Sequence, residues 1–70
     1  MIEFIVWIDK LGREVEVERG NHVAFFATRK LKSGDYVDVA LHGWAYPSEE
    51  DCQLALNKYA KDHGYTQKKD

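Results

Sequence analysis

Seventy residues with ten Lys and Arg, twelve Asp and Glu and three His carry a formal charge of −2. That balance argues against a duplex-DNA binder, whose affinity comes largely from cations set on phosphates. A single cysteine, Cys52, excludes an internal disulfide and no Cys/His cluster has zinc spacing, so a domain that buries only about 60 % of its unfolded surface must be held by its 44 % of hydrophobic residues.

Ile2 to Ile8 places β-branched and aromatic residues on both faces and predicts a first strand. Asp9-Lys10-Leu11-Gly12-Arg13 predicts a tight hairpin, with Gly12 where a positive φ is needed. Glu14 to Glu18 alternates acid and valine, the pattern of a strand with one wet face and one dry. Gly20-Asn21 is a turn signal, and His22 to Leu31 predicts a third strand. Lys32-Ser33-Gly34-Asp35 predicts a further turn, and Tyr36 to about Ala45 a fourth strand.

Pro47-Ser48 stops the sheet and starts a helix. Ser48 is a good N-cap, Asp51 answers it from the N3 position, and Glu49, Glu50 and Asp51 put negative charge on the positive end of the helix dipole. Cys52, Ala55, Leu56, Tyr59, Ala60 and His63 recur at helical spacing, which predicts one apolar stripe from about Glu49 to His63. Lys58 and Lys61 suit the C-terminal end, and Gly64 suits C′. Tyr65 is expected to pack back, closing a single domain over 1–65, with 66–70 a frayed polar tail. The expected fold is α+β, an antiparallel meander of three to four strands followed by one C-terminal helix packed on one sheet face.

One helix covers one face of such a sheet. If Ile2, Phe4, Val6 and Ile8 face the helix, alternation turns Ile5 and Trp7 the other way. In the fourth strand Val37, Val39 and Leu41 would face the helix, and Tyr36, Asp38, Ala40, His42 and Trp44 would not. Phe25-Phe26 puts one ring on each side in either register. The helix-free face would then hold Ile5, Trp7, Tyr36, His42, Trp44 and one Phe, rimmed by Glu14, Glu16 and Glu18. Exposed aromatics rimmed by charge mark a binding surface. The alternative is that the sheet curls, or the Tyr65 segment folds under it, to make a second small core.

The other candidates for chemistry are thin. His22, His42 and His63 are too scattered for a local metal motif, and Cys52 on the apolar stripe reads as packing. There is no phosphate loop, no Ser/His/Asp order and no carboxylate pair in a cleft, so neither an enzyme nor a cofactor is expected. Arg29, Lys30 and Lys32 form a basic cluster beside the predicted turn between strands three and four, the position from which a sheet-type reader contacts nucleic acid. The start Met1-Ile2-Glu3-Phe4 has an acid where a secretory leader is basic, and Phe4 to Ile8 is too short an apolar run to cross a bilayer. With an unpaired thiol, a cytoplasmic location is expected.

Tyr46-Pro47-Ser48-Glu49-Glu50-Asp51-Cys52-Gln53-Leu54-Ala55 resembles the strand-to-helix junction of AP2-type and integrase N-terminal DNA-binding domains, which read aromatic-x-Thr-x-Glu-Glu-Ala there. That resemblance covers ten residues and implies a three-stranded antiparallel sheet followed by one helix. Those domains read DNA with Arg and Trp on the sheet, where this chain would carry Glu14, Glu16, Glu18 and Asp38. By size and charge the chain is also similar to the small acidic proteins that phages and mobile elements encode to inhibit host proteins. The expected partner is a protein or a second copy of the chain, docked on Ile5, Trp7, Glu14, Glu16, Glu18, Tyr36, His42 and Trp44. Nucleic acid at Arg29, Lys30 and Lys32 comes second, and neither a membrane nor a small-molecule substrate is expected.

Overall fold

The acid–valine alternation of Glu14–Glu18 seats the middle of the sheet. In the computed structural model, which describes residues 3–19, 25–39, 41 and 46–68, β2 (Glu14–Arg19) lies between β1 (Trp7–Ile8) and β3 (Phe25–Lys30), antiparallel to both. β4 (Tyr36–Val39) pairs with β3, and α1 (Glu49–Asp62) then crosses the sheet. The chain returns as β5 (Thr66–Gln67) on the far side of β1, giving the order β4-β3-β2-β1-β5. The expected α+β architecture holds, with five strands in place of three to four.

Residues 69 and 70 lie outside the described residues, and over 66–68 the fifth strand corrects the reading of a frayed tail. Without it the outer edge of β1 would expose unpaired N–H and C=O groups. Thr66 and Gln67 pair with Ile8 and Trp7, the Lys68 N–H donates to the Val6 carbonyl, and Lys68 Nζ reaches Glu14 at 2.9 Å. At the other end of the meander, Ala27 faces Val39 but Phe25 faces Tyr46. The fourth strand is described over Tyr36–Val39, and most of its expected course to Ala45 lies outside the described residues. His22, His42 and Trp44 lie outside the described residues.

The helix forms where its end signals put it. Ser48 Oγ accepts from the Asp51 N–H at 3.1 Å. At the other end the Tyr65 N–H reaches the Ala60 carbonyl at 2.8 Å and the Gly64 N–H the Lys61 carbonyl at 3.3 Å, with Gly64 at φ 74°. That double bond satisfies carbonyls the last turn would otherwise orphan. Cys52, Leu56 and Ala60 are buried as the stripe predicts, whereas His63 is exposed and stacks on Tyr59 at 3.9 Å.

The core joins Trp7, Val15, Ala27 and Val39 of the sheet to Leu56 and Ala60 of α1, with Ile5, Val17, Leu41, Tyr59 and Tyr65 packed around it. This reverses the expected parity of the first strand. Ile5 and Trp7 point to the helix, and Trp7 is only 3 % exposed. The cause is a polar tie: Trp7 Nε1 donates to Asn57 Oδ1 at 2.9 Å, and Gln53 Nε2 donates to the same oxygen at 2.8 Å and to the Ile5 carbonyl at 3.3 Å. An indole N–H is costly to bury without an acceptor, and α1 offers one.

Asp9 shares that inward parity and is buried. Its carboxylate accepts from the Leu11 and Arg13 N–H groups at 2.9 and 2.8 Å and from Arg13 Nε at 2.8 Å, while Arg29 Nε lies 3.1 Å away. Gly12 at φ 82° lets the hairpin turn tightly enough to deliver those donors. Burial alone would push the Asp9 carboxyl up, but the Arg13 N–H, the Arg13 guanidinium and the Leu11 N–H together hold it below its ordinary 3.8.

Two stability measurements check this core. Trp7→Ala is expected to cost about 3–5 kcal/mol, read as a large fall in the urea midpoint; a variant that unfolds like the parent would return the indole to the surface. Asp9→Asn is expected to cost about 1–3 kcal/mol near neutral pH, since it leaves two half-buried arginines short of a counter-charge. Because the folded carboxyl titrates below its unfolded value, its stabilisation is present above 3.8 and fades as pH falls through the lower folded value. The gap between parent and variant should therefore close in acid, and a gap independent of pH would remove the ionic part of the account.

Candidate functional site

Alternation about the core residues assigns the opposite face. Cross-strand pairs Glu18–Phe26, Glu16–Thr28, Thr28–Asp38, Lys30–Tyr36 and Ile8–Glu14 set these side chains on the side away from α1. Of the expected docking residues, Glu14, Glu16, Glu18 and Tyr36 belong to this face. Ile5 and Trp7 do not, and His42 and Trp44 are outside the described residues. Two members of the face carry more than the sequence promised. Phe26 is the outward ring of the Phe pair, and Thr28, a small hydroxyl residue in an apolar strand, gave no signal beyond its parity.

Glu18, Phe26, Thr28, Tyr36 and Asp38 line a shallow groove of about 450 Å³ at the β4 side of the sheet. Tyr36 is 54 % exposed, while Thr28 beneath it is 5 % exposed. The Thr28 hydroxyl is buried and has no hydrogen-bond partner among the described residues. An unmade bond of this kind costs about 1–3 kcal/mol.

The charges on this face are unevenly answered. Glu14 is paired with Lys68 at 2.9 Å, and that bond, the Lys68 charge and the nearby Lys30 hold its carboxyl below the usual range. Glu16 moves the other way: desolvation, then the charges of Glu18 and Glu14, push its carboxyl up. Among the described residues, neither Glu18 nor Asp38 makes an ion pair.

The basic cluster expected for nucleic acid is divided by the same alternation. Lys30 and Lys32 are exposed near the turn, beside a cleft shared with Gly12, Arg13, Glu14 and Leu31. Arg29 faces the helix instead, where it meets Asp9 and donates through Nη2 to the Tyr65 hydroxyl at 2.7 Å. It is a structural cation, not a member of a solvated loop. The Cys52 thiol is pushed up to about 11 by burial and by the Glu49 charge, which keeps it protonated and unreactive near neutral pH.

Among the described residues there is no group of three or more His, Cys, Asp or Glu that could hold a metal ion, and no helix long and apolar enough to cross a membrane. No protein-family model, no curated protein and no solved structure matches the chain.

The Glu16 environment makes a prediction of opposite sign to Asp9. A carboxyl raised in the folded state adds no cost below its ordinary 4.5 and opposes folding increasingly as pH climbs through the raised value. Glu16→Gln is therefore expected to melt above the parent near neutral pH, with the advantage vanishing in acid. A variant that melts lower at neutral pH would mean that the Glu16 carboxylate is stabilised, not crowded.

Proposed function

We propose that this protein is a non-catalytic binding module that docks a protein partner through the helix-free face of its sheet. The groove lined by Tyr36 and Phe26 carries this reading: it brings a half-exposed tyrosine, a phenylalanine, two carboxylates and a buried hydroxyl without a partner among the described residues onto one surface. Aromatic contact area supplies affinity at low entropy cost, and the surrounding charge supplies selectivity. A regulator or inhibitor that works by occupying a partner's surface needs no further machinery.

The acid on the face argues for a foreign partner over a second copy. A two-fold contact through one patch would set Glu16, Glu18 and Asp38 of one molecule against the same carboxylates of the other. Phosphates would meet the same repulsion, and with Arg29 committed to Asp9 the loop retains only Lys30 and Lys32 for nucleic acid.

A photo-cross-linking amino acid placed at Tyr36, and separately at Lys61 on the outer side of α1, tests the reading in cells. A discrete protein adduct is expected from position 36 and none from position 61. Adducts confined to position 61, or an adduct at 36 that nuclease removes, would refute it.

A further inference from the structure

Two rings, two carboxylates and one buried hydroxyl converge in the groove of Glu18, Phe26, Thr28, Tyr36 and Asp38. We infer that this groove receives the guanidinium of an arginine side chain presented by a protein partner, an inference that rests on the docking role proposed above for this face. Glu18 and Asp38 accept its N–H groups, and an aromatic ring lies against its plane.

The chemistry selects the ligand by what each wall lacks. Glu18 and Asp38 have no ion-pair partner among the described residues, so the groove has negative charge to satisfy. Lys68 holds Glu14 at the far end of β2 and only partly offsets the push of Glu18 and Glu14 on Glu16. A cation at the Glu18 end relieves that repulsion. The Thr28 hydroxyl is the independent sign of a missing partner, because it is buried, unbonded and part of the groove wall. Its lone pairs become available to an incoming N–H once the side chains that cover the oxygen part.

Arginine fits better than the other cations. Its planar fork spreads five donors over two or three acceptors, stacks on Tyr or Phe, and sheds water more readily than an ammonium. Lysine offers a compact, strongly hydrated charge that uses one acceptor well and the ring poorly. A bare divalent ion would want six or more oxygens, and two rings occupy the positions those would need.

Amide-resolved NMR of the labelled protein tests this with three short peptides that differ only in a central Arg, Lys or Phe. The arginine peptide is expected to shift the signals of Glu18, Phe26, Thr28, Tyr36 and Asp38 and to bind about tenfold more tightly than the lysine peptide. Glu18→Gln with Asp38→Asn should weaken it by at least about tenfold, while Glu50→Gln on the helix side should leave it unchanged. Asp38→Asn alone, on an exposed residue, serves if the double variant fails to fold. Equal binding of the lysine peptide, equal loss with Glu50→Gln, or shifts confined to other residues would overturn the inference. A phenylalanine peptide that moves the groove signals when the arginine peptide does not would also overturn it, while leaving the docking role of the face intact. Silence from all three peptides, together with no adduct from position 36, would sink both.

Discussion

An indole buried in a chain of this size needs an acceptor for its N–H, and the acceptor decides where the indole goes. Asn57 supplies it from the middle of α1, and Gln53, one turn earlier, holds the same Asn57 oxygen and reaches the Ile5 carbonyl. Because a strand has a period of two, seating Trp7 against the helix seats Ile5 and Asp9 with it and turns Ile8 outward beside Glu14. The inward Asp9 then becomes the counter-charge that draws Arg13 and Arg29 to the helix side. The aromatic content and the charge of the opposite face both follow from that one tie.

The parts of the fold legible in the sequence are those with a one-sided pattern. Ser48, the acids of the first turn and Gly64 mark the ends of α1, and strict acid–valine alternation orients β2. Tyr36 and Asp38 fall outward for the same reason. The first strand was misread because Ile2 to Ile8 is apolar in both parities, so alternation carries no information there. Nothing local marks Asp9 as buried, because its arginine partners lie four and twenty positions away. Gln53 and Asn57 are polar residues on a helix, and nothing local distinguishes a buried amide pair from a solvated one. Thr66-Gln67 has no strand pattern at all; it pairs because β1 has a free edge within reach. The candidate site was half legible: its acids and Tyr36 follow from parity, while the buried, unbonded state of Thr28 depends on packing from two neighbouring strands.

The two faces of the sheet divide the charge of the molecule unequally. On the helix side one aspartate is shared by two arginines, with the Tyr65 hydroxyl taking a further guanidinium donor. Burial of the Asp9 carboxylate is tolerable there because Arg13 and the Leu11 and Arg13 N–H groups donate to it and Arg29 lies against it as a second counter-charge. On the open side Lys68 and Lys30 answer Glu14, while Glu16, Glu18 and Asp38 make no ion pair among the described residues. A formal charge of only −2 therefore conceals a locally acidic surface whose sign is set by where the arginines went.

The position of the groove bears on how a partner would be read. It opens at β4, the outermost strand on that side among those described, whose described pairing with β3 runs over Tyr36–Val39. A long, flat edge would invite any extended segment to add a strand through backbone hydrogen bonds, which are indifferent to sequence. In the docking role proposed for this face, a groove read through side chains discriminates where such a ladder would not. Rings without charge would accept many apolar partners, and carboxylates without rings would accept any cation. A groove lined by Tyr36 and Phe26 together with Glu18 and Asp38 asks for both properties in one incoming side chain, and that double demand is what would make it selective.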